Sequence, residues 1–420
     1  MLTKILNTIN QSKIFPLYFL TPLVYAIGNA SESILLATLK LGGKKKIVIL
    51  SPRFFQKILN YNICNKSLFE DIIINKSNVN QNLILKIFFN FFLEVEFFFT
   101  RLFILTLDKF KITSSEKYRF PYVGTNNLAD YEYINNHNFY KFPFKKIKTF
   151  PKTEIMIDLD YKKSHEHKKI LKVITYGRKF ICIHVRDSFY KKNNKKNYRN
   201  SNINNYIKSI KYLIGQGYFV FRLGNSPLNK IHFENKYFLN YPDSYIKSDF
   251  MDLLLIKNCD FYIGTQSGTY DTARMFDKPK LITNMVEAFT AYPNRFNDRG
   301  IFKKIFHKKK NKIIKIDEFI NMPFKYNDPE QSINDLEFLE NSPEEILKGT
   351  IEFHNLFKNN RQYLRSTLQK KFDILHKTAF EKHFNNGDIS LIKNIEGLKI
   401  TRWMKSNKGT MCDSYLRNNL

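Results

Sequence analysis

Cysteine, tryptophan, glycine and proline are all scarce in this chain of 420 residues, and each shortage excludes something. The four cysteines, Cys64, Cys182, Cys259 and Cys412, are scattered and form no CxxC pair. A disulfide framework is not expected in so long a chain, and the pattern reads as that of a reducing compartment. Cys182 and Cys259 stand in apolar surroundings and are expected to pack as small core residues. With 15 Gly, 13 Pro and one Trp, the chain is neither collagenous, repeat-rich nor broadly disordered. Acidic residues are also short, 38 against 68 Lys and Arg, which leaves a formal charge of +30. Three kinds of partner fit that charge: nucleic acid, an anionic membrane surface, or anionic substrates. Part of it also reflects a composition crowded with Lys, Asn, Ile and Phe, the residues of AT-rich codons. Arg-rich helices, zinc-finger spacings and aromatic RNP-type strands are missing, which argues against nucleic acid. Phosphate-bearing substrates and an anionic membrane surface stay open together.

Long uninterrupted apolar runs are missing too. The most apolar segment, LILKIFFNFFLEVEFFFTRLFILTL at 83–107, is broken by Lys86, Glu94, Glu96 and Arg101. A spanning helix needs about 20 apolar residues with few charges, so a buried or interfacial helix is expected. Monotopic attachment through its Phe-rich face is compatible with the pattern. Near the start, IFPLYFLTPLVYAIG is interrupted by Pro16 and Pro22 and shows no small-residue cleavage site, unlike a signal peptide. His165 and His167 form an isolated HxH without the further ligands that zinc requires. DLD at 158–160 spells a DxD but lies in a charged stretch. No metal and no cofactor are expected.

What is present is a repeated alternation of short apolar runs with helix-like segments. Residues 1–150 open with an apolar stretch, a turn at Gly28-Asn29, the helix-like SESILLATLKLGG and the strand-like KKKIVILS, the order of a βαβ unit. Residues 112–142 read as a long irregular surface segment. Residues 151–340 are clearer: KFICIHVR, YFVFRLG, DFYIGT and KLITN are strand-like and are separated by helical segments, the signature of a parallel, doubly wound sheet. Residues 341–420 are helical and charged; Ser342, Pro343 and Glu345 make a capping box at NSPEEIL. FNNGDISLIKN reads as a loop before a short terminal element. The expected fold class is therefore α/β, with two Rossmann-like domains facing a cleft and a C-terminal helical segment packing back on them.

Four clusters stand at expected strand ends or helix starts: His184–Ser188, Tyr198–Ser201, Gly224–Ser226 and Gly264–Thr269. Strand ends of a parallel sheet converge on one edge, where ligands bind. Arg186 offers a planar fork of donors to a phosphate, and His184, two residues earlier, adds a hydrogen bond or an acid–base group. In YIGTQSGTYDTA a strand runs through a small-residue loop into a helix. Unpaired amides there favour an anion, Gly268 permits close approach, and Thr265, Ser267 and Thr269 add hydroxyls. It is neither a Walker A loop nor a GxGxxG fingerprint. Arg199 is a second phosphate or sugar contact, beside Asn200 or Ser201 as helix cap, and Gly224 and Asn225 place backbone near a base or ribose. Each cluster also has a plain structural reading, an Arg186–Asp187 ion pair or a well-capped helix.

HVRDSFY, NYRNSNINNYIKSIKYLIGQGYFVFRLGN, YPDSYIKSDFMDLLLIKNCDFYIGTQSGT and FDKPKLITN together resemble a family of bacterial surface-polysaccharide glycosyltransferases. Its donor half is similar to fucosyltransferase-like enzymes of the GT-B fold that carry an HxR motif. The resemblance covers roughly 180–285, and weakly AIGNASE at 26–32. It implies transfer of a sugar from a GDP- or UDP-linked donor, the co-substrate, to a glycan or lipid-linked acceptor, with inversion; the lack of a DxD stretch at a strand end points to a metal-independent transfer. It implies Arg186 on the donor diphosphate, His184 beside it and Ser267-Gly268 at the phosphate-binding helix. The chain departs from that family at Asn29, where relatives carry His, and at Asp187, which follows its Arg directly. Glu32 is the foremost candidate for the catalytic base and Asp187 the reserve. A polyanion-binding protein and a nucleotide-sugar epimerase are the rival readings.

Overall fold

The computed structural model describes residues 1–41, 43–55, 62–79, 82–112, 123–124, 157–187, 198–225, 231–289, 292–293, 298–327, 334–359, 365–385 and 409–420. The chain divides into two compact units, Met1–Glu166 with Ser248–Leu254, and His167–Lys247 with Leu255–Leu420.

The first unit opens with α1 (Leu2–Gln11), β1 (Leu17–Leu20), α2 (Ile27–Leu41) and β2 (Lys46–Ile49). All four residues of β1 are buried and it pairs in parallel with β2, so the expected βαβ unit forms. Gly28 and Asn29 lie inside the first turn of α2 instead of forming a turn ahead of it, because the helix already starts at Ile27. After α3 (Ser67–Glu70), β3 (Ile72–Ile74), β4 (Ser77–Asn78) and α4 (Leu83–Lys109) comes β5 (Ile157–Leu159), followed by α5 (Tyr161–Ile174), whose residues from His167 on are counted with the second unit. β3 is the middle of a small antiparallel sheet between β4 and β5. DLD thus belongs to β5 and the start of α5, where Asp160 accepts the Lys163 amide at 3.0 Å. Leu6 of α1 shares a core with Phe19, Val48, Leu93 and Phe97. The irregular reading of 112–142 falls outside the described residues apart from its first residue and Val123-Gly124.

The second unit is built on one seven-stranded sheet. Its elements are β6 (Phe180–His184), α6 (Ile207–Gly215), β7 (Phe219–Leu223), β8 (Phe238–Asn240), α7 (Asp249–Asn258, its first turns counted with the first unit), β9 (Tyr262–Gly264), α8 (Gly268–Met275), β10 (Lys280–Met285) and β11 (Arg299–Phe302). An antiparallel meander of β12 (Lys304–His307), β13 (Lys312–Ile314) and, after α9 (Ile316–Asn321), β14 (Leu336–Leu339) follows. Then come α10 (Pro343–Lys358), α11 (Thr367–Asn385), β15 (Thr410–Met411) and α12 (Asp413–Asn419). The large sheet runs β8-β7-β6-β9-β10-β11-β15 and every pairing is parallel. The chain starts in the middle, builds outward through β7 and β8, then returns to the other side of β6 at β9. That reversal is the Rossmann-like order, and it opens a crevice beyond the ends of β6 and β9.

Local chemistry explains the element ends. Gly217 (φ +93°) takes the chain out of α6 through a left-handed turn. Ser248 receives the Met251 amide at the start of α7, and the capping box of Ser342 and Glu345 at α10 is present as read. The cap expected at Asn200 or Ser201 is made by Asn202, whose side chain accepts the Asn204 amide. Cys182, Cys259 and Cys412 are buried core residues, and the HxH lies on α5 with His165 exposed. Most of FNNGDISLIKN lies outside the described residues.

Candidate functional site

The strands β6 and β9 are neighbours in register, His184 opposite Gly264, so both polar segments leave the sheet at the same level. The Thr265 amide donates to the His184 carbonyl at 3.2 Å, and the Arg186 amide donates to the Thr265 hydroxyl at 3.2 Å. A Cβ on Gly264 would stand 2.6 Å from the His184 carbonyl oxygen and 2.7 Å from the Tyr262 hydroxyl. Only glycine lets the two strand ends come this close. Ser267, the residue that enters α8, makes no side-chain cap to its own helix. Its hydroxyl instead stands 3.1 Å from His184 Nδ1 and 3.1 Å from the Thr269 hydroxyl, which in turn meets the Tyr262 hydroxyl at 2.8 Å. The well-capped-helix reading of this loop therefore fails. The first-turn amides of α8 keep their partial positive charge, the condition under which a helix start attracts an anion.

On the other side of β6, β7 brings a residue that the sequence reading passed over. Arg222 is 1% exposed within an otherwise apolar strand. Its Nη1 donates to the Asn225 carbonyl at 2.8 Å and its Nη2 stands 3.7 Å from Asp187 Oδ2. Two residues on, Gly224 has φ +117°, and a Cβ there would lie 3.3 Å from the His184 ring. The His184 imidazole is thus held between Ser267 and the β7 turn. Burial, then the nearby guanidinium groups of Arg222 and Arg186, push its pKa down to about 3. It is a neutral hydrogen-bonding ring at pH 7, not a proton donor. Asp187, the reserve base, is engaged with Arg222 as its counter-charge.

A second wall is formed by residues 198–201. The Ser201 amide donates to the Arg186 carbonyl at 2.9 Å, and Lys303 Nζ donates to the Asn200 carbonyl at 2.7 Å. Lys303 is buried just past β11, and burial lowers its pKa to about 8. Arg199 pairs with Glu287 at 2.5 Å. Gln266, 2% exposed within the β9 loop, accepts the amides of Val286 and Glu287 and donates to the Glu287 carbonyl.

The structure therefore gathers His184, Arg186, Asp187, Gly224, Asn225, Thr265, Ser267, Gly268 and Thr269 at one sheet edge, with Arg199 on the adjoining wall. Ser188 and Ser226 lie outside the described residues. Glu32 sits on α2 of the first unit, 7% exposed. Arg222, Gln266, Glu287 and Lys303 were not singled out from the sequence. A charged residue inside an apolar strand, two positions before a glycine, was the available signal for Arg222. No family model, curated protein or solved structure matches this chain. Among the described residues no three His, Cys, Asp or Glu side chains are grouped to hold a metal ion. Chemically, the sheet edge brings together two guanidinium groups, a neutral imidazole, three hydroxyls and a helix start, a setting for a multiply charged anion with a hydroxyl-bearing body.

Proposed function

We propose that this protein is a glycosyltransferase of GT-B type, moving a sugar from a GDP- or UDP-linked donor to a glycan or lipid-linked acceptor in surface-polysaccharide synthesis. The observation that carries the reading is the convergence of His184, Arg186, Arg222 and the uncapped start of α8 at the reversal point of a parallel sheet. In Rossmann-like sheets that crevice holds the phosphates of nucleotide ligands. The bond from the anomeric carbon to the β-phosphate oxygen breaks while the acceptor oxygen bonds to that carbon. The acceptor proton passes to a base, and the nucleoside diphosphate leaves with the bonding electrons. Arg186, with Arg222 behind it, and the α8 amides stabilise the growing diphosphate charge, and such fixed electrostatic stabilisation is usually the main source of rate enhancement. Neutral His184 contributes a hydrogen bond without requiring protonation. Asp187 is engaged with Arg222, so the base is expected from outside this edge.

A thermal-shift screen against nucleoside diphosphates tests this. GDP or UDP at about a hundred times its dissociation constant should add about 2.7 kcal/mol of stability. Arg186→Ala should lose that shift while its unliganded melting temperature stays near the original. Transfer activity should be unchanged in excess EDTA. Absence of any nucleotide shift, with steep salt-dependent binding of polyanions instead, would remove the glycosyltransferase reading. Conversion of the nucleotide-sugar without an acceptor would favour an epimerase.

A further inference from the structure

Helix α4 is inverted relative to an ordinary surface helix. The face it turns into the first unit carries Lys86, Asn90 and Glu94 beside Leu93 and Phe97, all buried. Each polar group there serves backbone: Lys86 Nζ donates to the Phe69 carbonyl at 2.6 Å, and Asn90 Oδ1 accepts the Ser51 amide at 3.0 Å. Glu94 accepts the amides of Phe54 and Phe55 at 2.7 Å and that of Arg53. Two of the four charges that break the apolar run, Lys86 and Glu94, thus point inward, while Glu96 and Arg101 are half-buried. Among the exposed positions from Leu83 to Leu105, every residue is Leu, Ile or Phe. Ile84, Phe88, Phe92, Phe99, Leu102 and Phe103 are all exposed, and their spacing keeps them on one helical stripe. At 1.5 Å per residue that stripe is about 30 Å long. A water-facing helix places its charges on this side, and an apolar patch of this extent marks an interaction surface.

The surroundings say what covers it. Exposed Lys109 and Lys111 close one end of the stripe. Exposed Lys4 and Lys13 lie on and just past α1, which packs on α4 through Leu6 against Leu93 and Phe97. Ile5 and Ile14, 45 and 95% exposed, extend the apolar surface among those lysines. A second copy seated on the same face would add a second set of these lysines to one interface, and no exposed position of the stripe is acidic to offset them. A lipid surface of negative charge has no such conflict and matches both the apolar stripe and its basic border. No helix among the described residues is long and apolar enough to cross a membrane, and the inward charges of α4 hold it against the unit. We infer that α4 lies in the plane of an anionic lipid interface, with its Phe stripe in the acyl boundary and the flanking lysines at the headgroups. This is independent of the chemistry at the sheet edge.

Co-sedimentation of the full chain with phosphatidylcholine vesicles, with and without phosphatidylglycerol, tests the inference, alongside sedimentation of the lipid-free protein. The chain should pellet with anionic vesicles, less with neutral ones, and less again at high salt. The Phe99→Asp/Phe103→Asp variant should lose at least about tenfold in vesicle affinity, since two apolar rings leave the acyl boundary and two carboxylates meet anionic headgroups. Its helical circular dichroism should stay unchanged because both side chains are exposed. As a readout that does not depend on that variant folding, Phe99→Trp should show a blue-shifted emission on anionic vesicles. The inference is overturned by an unaltered chain that ignores lipid, by a double variant that pellets undiminished, or by a Phe99→Trp emission that does not move. It is equally overturned by a lipid-free dimer that the double variant makes monomeric, for then a second copy covers the face.

Discussion

At the scale of single residues, the site is decided by what surrounds each group more than by which group it is. His184 has the ring chemistry of an acid–base catalyst, yet burial and two guanidinium neighbours keep it neutral, with its pKa at about 3. His376, buried in an aromatic cluster on α11, is held down to about 4 by burial. Both bind fewer protons in the folded chain than unfolded, where the ordinary value is about 6.5. Their contribution to stability is therefore whole above pH 6.5 and is lost as pH falls toward 4 and then 3. Chemical denaturation of the unliganded protein should show stability declining between pH 6.5 and 5, before most carboxylates titrate. His184→Gln should flatten that decline. Gly224→Ala should cost about 1–3 kcal/mol, because a left-handed residue gains a Cβ against the His184 ring. Urea unfolding measures it, and an unaffected midpoint would contradict the packing described.

At the scale of elements, two serines at helix starts do different work. Ser342 caps α10 in a reciprocal box with Glu345, whereas Ser267 at α8 turns its hydroxyl to His184. Ser342→Ala should therefore lower stability by about 1 kcal/mol and leave nucleotide binding alone. Ser267→Ala should do the reverse, weakening nucleotide binding with little change in melting temperature. Thermal melts with and without GDP or UDP separate the two, and a matching loss of stability in both variants would return Ser267 to an ordinary cap. Helix α4 teaches the same lesson by orientation. Its composition announced an apolar helix, but the side on which Lys86 and Glu94 fall was set by the backbone groups they satisfy.

At the scale of the whole molecule, two compact units share one chain, and the proposed donor chemistry lies wholly in the second. Nucleotide binding should slow hydrogen exchange at 184–187, 219–225 and 262–275 and leave β1 and β2 of the first unit unchanged. Protection spread evenly over both units would place the ligand elsewhere. The +30 charge is spread over many exposed lysines, so vesicle binding should fall with ionic strength more steeply than nucleotide binding, which is sheltered by burial.

The strands β6, β7, β9 and β10, the helices between them and the glycines that end α6 were legible because short apolar runs and turn residues act locally. β8 and β15 were not, being three and two residues long and defined by the partner they pair with. The clusters at His184–Asp187 and Gly264–Thr269 were also legible, as polar residues breaking out of apolar strands. Sequence alone thus determined the α/β class, the parallel sheet and most side chains of the candidate site, since periodicity and backbone preference are properties of neighbouring residues. Tertiary structure alone decided that Arg222 stands behind His184, that Asp187 is spent on Arg222, that Ser267 serves the histidine and not its helix, and that α4 turns its phenylalanines outward. Those outcomes depend on strand order and on which buried polar group finds which partner, and residues far apart in the chain settle both.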